Sequence, residues 1–380
     1  MKIEQRLWTP DRGWESPLNP DQPPAHLVLI FGSVVNLKNR SLFEEIQRAY
    51  PRAVLFGCST AGEIRSTRVL DDSLVLTAVH FNHTRLKSAG IVIDNIGDSL
   101  AAGAHLAQSI ETRELRHVLV LSDGLTVNGS DLVKGLTRHL PADVSVTGGL
   151  SADGDRFLET LVVLNGPAKP KTIALVGFYG DRLSVGYGSL GGWDPFGPER
   201  TITKSRGNVL YELDGKSALE LYKKYLGEHA AGLPATGLLF PLCLRTKEGG
   251  PGLVRTILSV NEGDQSMTFA GDLPEGAYAR LMKANFNRLV EGAAGAAETS
   301  CRPLFSAGPE LAVLISCVGR KMVLKQRIEE EVEAVRDITG PETVLTGFYS
   351  YGEISPFRHG AACELHNQTM TITALSEEDG

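Results

Sequence analysis

The sequence predicts a mixed α/β fold in which duplicated β-α-β units, extended by antiparallel strands, form two mixed-sheet domains. Short apolar runs alternate with amphipathic helical segments, as in parallel strands joined by crossover helices. A similar stretch also occurs twice, at residues 54–64 and 344–354, where V-L-x-G is followed by G-E-I. Because there is no short fixed period, these copies indicate duplication of a domain-sized unit rather than a solenoid.

The first half of the chain contains two such units, the second weaker than the first. An extended arm at residues 1–24, held down by Trp8 and Trp14, precedes them. The first unit and the segments after it are predicted as strand 27–31, helix 41–50, strand 53–56, an antiparallel hairpin of strands 73–81 and 85–93, and helix 98–110 with Leu100 on its buried face. The second is predicted as strand 117–121, helix 130–139, strand 144–147 and three further strands at 159–164, 171–179 and 183–189.

The second half is predicted to contain a third unit. The segments before it are a loop at 191–206, strand 208–213, helix 216–226, apolar runs at 237–244, 253–260 and 266–271, and helix 277–298. The unit itself is strand 311–317, helix 324–338 and strand 343–346, and a last strand covers 369–375. This pattern predicts a first domain at 25–215, a second at 216–375 and a polar tail at 376–380.

Composition narrows the classes of function. The 380 residues carry 38 Lys and Arg against 45 Asp and Glu, and this net charge of −7 argues against nucleic acid and anionic membranes as partners. Five cysteines without a C-x-x-C pair fit a reducing compartment. No signal peptide and no apolar stretch of about 18 residues is recognisable. We therefore expect a cytoplasmic protein.

The sequence contains partial matches to nucleotide-binding and metal-binding motifs, but their surroundings do not fit such sites. The G-x-G-x-x-G at residues 186–191 is followed by Gly192, Trp193, Asp194 and Pro195 rather than by a helix, so a dinucleotide site is not expected there. The H-x-x-H of His80 and His83 lies at a strand end, where the two side chains face opposite sides. The C-x-x-H at 363–366 is at most half of a zinc site. We therefore predict no metal ligands.

The sharper candidates are polar residues at strand ends. Ligands of open α/β sheets bind outside the carboxyl ends of the strands, where Glu63 and Glu353 are predicted to lie. If the two turns converge, the pKa of one carboxyl group should rise, and a cationic group such as a ligand's amino group would relieve the repulsion. The alternative is that each glutamate accepts hydrogen bonds from its own turn. Asp123 and Asp153 either cap turns or line the site. Cys58 is interpreted as a small thiol beside a pocket, in preference to a nucleophile with a distant base such as His366.

Several of these stretches resemble the FIST family, with its FIST N and FIST C modules, over residues 25–375. The resemblance rests on G-C-S-T-A-G-E at 57–63, G-G-L-S-A-D-G at 148–154, E-L-D-G at 212–215, G-F-Y-S-Y-G-E-I at 347–354 and C-x-L-H-N-Q at 363–368. It implies a sensory input module of signal transduction that binds a small ligand, with amino acids as candidates. Some members look like haem-binding nitric-oxide sensors, but no histidine is singled out as an axial ligand.

The resulting expectation is a stand-alone ligand-binding sensor that is not an enzyme and has no resident cofactor. Because no kinase core, cyclase motif or methyl-accepting coiled coil is recognisable, a separate signalling protein is expected as the output partner. A haem-based gas sensor and an enzyme with Cys58 as nucleophile are the alternatives. The predicted ligand-binding residues are Cys58, Ser59, Thr60, Glu63, Asp123, Gly149, Ser151, Asp153, Tyr349, Tyr351, Glu353, Cys363, His366 and Asn367.

Overall fold

The structure, a computed structural model, describes residues 1–18, 24–245, 252–304 and 308–378. Three β-α-β units each build on a six-stranded sheet, and a nine-stranded sheet is inserted within the third unit. None of the helices in these ranges has both the length and the apolar character that crossing a membrane requires.

The first unit begins at the N-terminus. In chain order it contains β1 (Lys2–Thr9), β2 (Gly13–Trp14), β3 (Leu27–Gly32), α1 (Val34–Leu37), α2 (Arg40–Ala49), β4 (Val54–Ser59), β5 (Glu63–Arg65), β6 (Arg68–Leu70) and β7 (Leu74–His80). Helix α2 begins after Asn39, whose side chain accepts a hydrogen bond from the Leu42 N–H. Its apolar face buries Leu42, Phe43 and Ile46, so α2 packs onto the sheet as the crossover between the parallel strands β3 and β4.

The second unit repeats the parallel strand pair and its crossover helix, and a further helix precedes this pair. It contains β8 (Arg85–Val92), α3 (Ser99–Ser109), β9 (Leu115–Ser122), α4 (Gly129–Thr137), β10 (Ser145–Leu150), β11 (Val162–Leu164) and β12 (Thr172–Tyr179). Helices α3 and α4 approach closely through Gly103 and Gly135. A Cβ atom at Gly135 would lie 2.2 Å from the Leu100 carbonyl oxygen, so glycine permits this contact.

The third unit is interrupted by an inserted subdomain, residues 194–283. Its first strand is β13 (Leu183–Leu190), and the inserted elements are β14 (Asp194–Pro195), β15 (Arg200–Arg206), β16 (Val209–Leu213), β17 (Lys216–Ser217), α5 (Ala218–Leu226), β18 (Leu242–Arg245), β19 (Leu253–Arg255), β20 (Ile257–Asn261), β21 (Ser266–Phe269) and β22 (Tyr278–Lys283). Strands β14–β22 form the nine-stranded sheet. Ile202, Leu219 and Phe269 belong to a separate hydrophobic core under it.

The chain then returns to the third unit. Its remaining elements are α6 (Phe286–Cys301), β23 (Leu311–Cys317), α7 (Val318–Leu324), α8 (Ile328–Thr339), β24 (Val344–Ser350), β25 (Gly352–Pro356), β26 (Cys363–His366) and β27 (Met370–Glu377). Short 3-10 helices cover Ile96–Asp98, Gly227–Gly232, Ala235–Leu239, Arg302–Leu304 and Lys325–Arg327.

Each unit contributes one or two strands to the sheet of another unit. Strand β5 of the first unit pairs with β24 of the third, β11 of the second with β4 of the first, and β25 of the third with β10 of the second. The three sheets therefore have the orders β11-β4-β3-β7-β1-β2, β26-β25-β10-β9-β12-β8 and β13-β27-β23-β24-β5-β6. The exchange is cyclic, so each six-stranded sheet contains strands from at least two units.

One glycine recurs at the same place in all three units. A Cβ atom at Gly57, Gly148 or Gly347 would lie 1.8 Å from a carbonyl oxygen of the neighbouring parallel strand. Only glycine allows that approach, because the obstacle is backbone rather than a movable side chain. The glycine of the V-L-x-G stretch therefore has a packing role.

The predicted mixed α/β class with repeated β-α-β units and added antiparallel strands is confirmed. The strands and crossover helices of all three predicted units are present. The predicted boundary at residue 215 stays a prediction. Strands β5, β6 and β13 from before it share a sheet with β23, β24 and β27 from after it.

The predicted hairpin of strands 73–81 and 85–93 is wrong. Both strands exist, but β7 lies between β3 and β1 in the first sheet, whereas β8 pairs with β12 in the second. Strand β7 is buried along nearly all of its length and needs partners on both edges. The helix at 98–110 also buries a different face from the predicted one, because Ala102 and Leu106 are buried while Leu100 is 36% exposed.

Four other segments differ from the prediction. The arm at 1–24 contributes β1, which pairs with β7, although Trp8 and Trp14 do pack against the core. The loop at 191–206 includes β15, a polar strand. The helix at 277–298 is strand β22 followed by α6, with an N-cap at Asn285. Strand β27 continues to Glu377, which is buried and accepts backbone hydrogen bonds, so 376–377 are not a tail; residues 379–380 lie outside the described ranges.

Candidate functional site

Three turns that follow β4, β10 and β24 are buried and contact one another. We name them turn 1 (residues 57–63), turn 2 (148–154) and turn 3 (347–353). The Ala61 N–H of turn 1 donates to the Tyr349 carbonyl of turn 3 at 2.8 Å. The Tyr351 N–H of turn 3 donates to Leu150 of turn 2 at 3.2 Å, and the Ala152 N–H of turn 2 donates to Ser59 of turn 1 at 2.9 Å. The turns therefore form a closed ring of backbone contacts.

Glu63 is buried at the end of turn 1. Its carboxyl group accepts hydrogen bonds from the Thr60 hydroxyl at 2.5 Å and the Ser73 hydroxyl at 2.7 Å. The Ser73 N–H, just before β7, also donates to it at 3.3 Å. Glu63 therefore ties turn 1 to the start of β7.

Glu353 is buried in the equivalent place. It accepts hydrogen bonds from the Ser350 hydroxyl at 2.7 Å, and from the Thr369 hydroxyl and N–H at 3.1 and 3.3 Å, just before β27. Both glutamates accept hydrogen bonds within the fold, which is the second of the two roles that the sequence left open.

The pKa values of both carboxyl groups are raised. Burial raises the pKa of Glu63 to about 7 and that of Glu353 to about 8, although the hydrogen bonds from neighbouring hydroxyls oppose the change. The turns do converge, but the cause of the rise is removal from water rather than mutual repulsion. Buried and supplied with partners, these groups act as structural hydrogen-bond acceptors.

The small side chains of turns 1 and 2 also face protein. Cys58 is fully buried in the hydrophobic core, and burial raises the pKa of its thiol well above the usual range. The Ser59 hydroxyl accepts from the Leu161 N–H at 2.9 Å. Gly149 pairs with Glu353 across β10 and β25, and the Ser151 hydroxyl donates to a carbonyl of β9. A buried thiol with a raised pKa is a poor nucleophile.

Tyr349 belongs to a buried polar network behind turn 3. Its hydroxyl donates to Glu331 at 2.6 Å, and Glu331 pairs with Arg320 at 2.7 Å, with all three side chains inaccessible to solvent. Arg320 also donates to the carbonyl groups of Gly191 and Leu289. This network links α7 and α8 to α6.

Asp123 and Asp153 organise two loops at the ends of β9 and β10. Asp123 accepts hydrogen bonds from the backbone of residues 125 and 126 and from the Lys171 N–H at 2.9 Å. Asp153 accepts from the N–H groups of Phe157 and the two residues after it, and from the Tyr351 hydroxyl. Burial alone would raise the pKa of Asp153, but these hydrogen bonds lower it below the usual range. Both aspartates thus cap turns.

The loop fixed by Asp153 presents an aromatic pair. Phe157 stacks on Tyr351 with ring centroids 4.4 Å apart and an interplanar angle of 11°. Phe157 has a φ angle of +53°, which bulky side chains rarely adopt, and it is 40% exposed. Backbone strain of this kind is found at functional sites, where surrounding contacts maintain it.

Two adjacent cavities flank this aromatic pair, between turns 2 and 3 and the inserted subdomain. The first cavity has a volume of about 290 Å³ and the second of about 340 Å³. They share the lining residues Phe157, Leu258, Ala270 and Tyr351. The first is also lined by Leu125, Asn128, Leu150, Asn208, Phe269 and Leu365, and the second by Asp155, Leu238, Thr256, Cys317, Val318 and Met322.

The position of these cavities follows from the topology. Gly124, Leu150, Cys317 and Tyr351 mark the carboxyl ends of β9, β10, β23 and β24, which is where open α/β sheets bind ligands. Their volumes are at the small end of the range for ligand pockets. Residues of the inserted subdomain line the cavities on the side opposite the strand ends.

The C-x-L-H-N-Q stretch is mostly buried beside turn 3. His366 makes a hydrogen bond through Nε2 to the Ser355 carbonyl oxygen at 2.7 Å, and burial lowers its pKa to about 4. The Asn367 amide is buried and has no hydrogen-bond partner among the described residues. Cys363 donates to the Val146 carbonyl and lines a third cavity of about 510 Å³.

Of the predicted ligand-binding residues, Tyr351 lines the first two cavities and Cys363 the third. The others line none of the three, and their role in ligand binding stays a prediction. Sequence reasoning did not identify Phe157, Thr256 or Leu258. Phe157 lies just after the G-G-L-S-A-D-G stretch, but nothing in its local pattern reveals a positive φ angle. Within the described ranges, no group of three potential metal ligands was found.

Comparison with known families covers nearly the whole chain. The model of the FIST N domain matches residues 26–216, and that of the FIST C domain matches residues 218–356. An uncharacterized protein of Methanocaldococcus jannaschii is 23% identical over 294 residues, or 70% of this chain. The match spans 56% of that relative's length.

Comparison with solved structures returns weak likenesses. A crystal structure of cyanuric acid hydrolase from A. caulinodans aligns with a TM-score of 0.35 and 9% identity, covering 100% of this chain and 99% of the other. A second cyanuric acid hydrolase structure aligns with a TM-score of 0.33 and 10% identity, covering 99% of each chain. At these scores the likeness supports no inference about fold or activity.

Proposed function

The chain belongs to the FIST family, with a FIST N and a FIST C domain in tandem, and from that premise we propose that it senses a small ligand bound beside Tyr351. FIST domains are associated with sensing in signal transduction. The proposal concerns where the ligand binds and what its chemistry is. The observation that carries it is the strained, half-exposed Phe157 stacked on Tyr351, between two cavities at the strand ends.

The walls of these cavities favour a compact ligand with an apolar or aromatic body. Phe157, Tyr351, Leu258 and Phe269 offer ring and aliphatic surface, and aromatic groups stack favourably on such walls. A volume of about 340 Å³ suits a metabolite rather than a peptide or a nucleotide chain.

Two polar groups in the second cavity suggest an amino group on the ligand. The Thr256 hydroxyl is buried without a hydrogen-bond partner among the described residues. Asp155, at a solvent-exposed position, lines the same cavity, and no ion pair joins it to a cationic side chain of the described ranges. An ammonium group would satisfy both. We therefore propose a small amine with an apolar body, such as an apolar or aromatic amino acid.

We propose that the site beside Tyr351 binds its ligand without catalysing a reaction. The thiol of Cys58 is buried, and Glu63 and Glu353 accept hydrogen bonds from their own turns. Among the residues that the structure describes, no histidine lines either cavity beside Tyr351, so these walls give the haem alternative less support than the amine. The ordered turns behind Tyr351 connect the site to all three sheets.

A thermal-shift screen over amino acids and related amines tests the proposal. A ligand at 100 times its Kd should stabilise the protein by about 2.7 kcal/mol and raise its melting temperature. Phe157→Ala should abolish most of that shift, because it removes the stacked wall. Leu158→Ala, at the neighbouring and 79% exposed position, is the matched control and should keep it. Equal shifts in both variants would contradict binding at this site.

A further inference from the structure

A buried arginine lines the third cavity, away from the Tyr351 pair. Arg255, at the end of β19, is 4% exposed. Its Nη1 donates to the carbonyl groups of Leu365 at 2.9 Å and Val254 at 3.3 Å, and its Nε donates to the Asp272 carbonyl at 3.3 Å. Among the residues that the structure describes, no carboxylate lies within 4.0 Å of the guanidinium and no hydrogen bond uses Nη2.

The other cations of this cavity already have partners. Lys134 pairs with Asp131 at 3.1 Å and Asp272 at 2.9 Å. Arg245 pairs with Glu199 at 2.9 Å. Arg255 is therefore the cation of this cavity that lacks a carboxylate partner among the described residues.

Two acidic groups also face the cavity, at a greater distance from Arg255. Asp272 is paired with Lys134, and the nearby charges of Asp272 and Glu364 oppose, without cancelling, the effect of burial on the pKa of Arg255. Burial lowers the pKa of Arg255 itself to about 10. A buried charge without a paired counter-charge is costly, and natural folds usually supply one.

The guanidinium is held in place by the backbone around it. Gly271 has a φ angle of +135°, and a Cβ atom there would lie 2.8 Å from Arg255 Nε. Glycine therefore lets the backbone of the inserted subdomain lie against the guanidinium. The three carbonyl contacts fix its orientation and leave Nη2 for another acceptor.

We propose that the third cavity binds a small organic carboxylate, whose carboxylate group pairs with Arg255. The planar fork of arginine matches a carboxylate in shape and charge. Leu244, Leu253, Phe357 and Leu365 line the same cavity of about 510 Å³ and offer apolar surface to the rest of the ligand. Cys363, predicted from the sequence to bind ligand, is on its wall. This site does not depend on the proposed function of the Tyr351 cavities, although Leu365 lines both the first and the third cavity.

Isothermal titration calorimetry with a fixed panel tests the proposal: succinate, glutamate, benzoate and phenylacetate, with sulfate and inorganic phosphate as comparators. We expect at least one carboxylate to bind the wild-type protein. Arg255→Met should weaken it by more than about 30-fold, because the charge pair is lost from a buried site. Arg245→Met is the matched control, and its affinity should stay within about threefold of wild type, since Arg245 is half exposed and already paired.

Arg255→Lys keeps the proposal testable if Arg255→Met does not fold. It retains the charge but loses the planar fork, so we expect weaker binding than in the wild type. Leu258→Asp, which alters only the Tyr351 cavities, should leave carboxylate affinity unchanged and thereby separate the two sites. Unchanged affinity in Arg255→Lys, no binding by any carboxylate, or binding of sulfate or phosphate alone would overturn the proposal.

Discussion

Glu353 accepts hydrogen bonds only from uncharged donors, Ser350 and Thr369, and burial raises its pKa from 4.5 to about 8. The folded protein therefore holds a proton that the unfolded chain releases near pH 4.5. This group contributes its full stability below about pH 4.5, and the contribution is lost as the pH rises through about 8. Glu63, with a pKa of about 7, acts in the same direction.

Replacing this carboxyl group with its neutral isostere should remove the pH dependence it causes. We expect Glu353→Gln to lose less stability than the wild type between pH 5 and 9, with a difference on the order of a few kcal/mol. An amide can donate to Ser350 and accept from Thr369, so the contacts survive. Denaturant titrations at several pH values would measure this difference in the pH dependence of stability. Glu45→Gln, on the exposed face of α2, is the control, and identical pH profiles for the two variants would show that Glu353 does not cause this pH dependence.

At the scale of elements, the repeated glycine decides whether two parallel strands can pack. An added Cβ atom at Gly57 would lie 1.8 Å from the Ile30 carbonyl oxygen and 2.9 Å from the Ile30 Cβ atom. Both obstacles belong to the adjacent strand β3, which is itself held by β7. Strand β4 cannot move away without breaking its ladder.

We therefore expect Gly57→Ala to lower the free energy of unfolding by more than about 3 kcal/mol, or to prevent folding. Gly166→Ala is the matched control, because its nearest obstacle, a carbonyl oxygen, would be 3.7 Å away. Chemical denaturation of the two variants measures the effect. Gly57→Ala with wild-type stability would show that this close approach does not hold the parallel pair together.

The elements predictable from sequence were those with a clear apolar period. The three crossover helices and the parallel strands on either side of them carry that signal, and all are present. Strand β22 was predicted as helix because its alternation of buried Ala279 and Leu281 with exposed Arg280 runs directly into the helical period of α6. Strand β15 was missed because Ile202 is its one fully buried apolar residue.

At the scale of the whole molecule, the units are tied together by exchanged strands and by the ring of turns. No local pattern predicts which sheet β5, β11 or β25 joins, because the partner lies more than 100 residues away in the chain. The cavities could not be predicted for the same reason: Leu258 of the inserted subdomain and Tyr351 are far apart in the chain and line one cavity only in the folded protein. The motif residues Glu63 and Glu353 were visible in the sequence, but what they contact was not.

The proposed ligand is a small amine that binds between the inserted subdomain and the strand ends. Crystallography of the protein with the strongest ligand from the thermal-shift screen tests this most directly. We expect ligand density against the Phe157 and Tyr351 rings, with an amino group near Asp155 or the Thr256 hydroxyl. Full occupancy at a place that contacts neither ring, with both Tyr351 cavities empty, would contradict it.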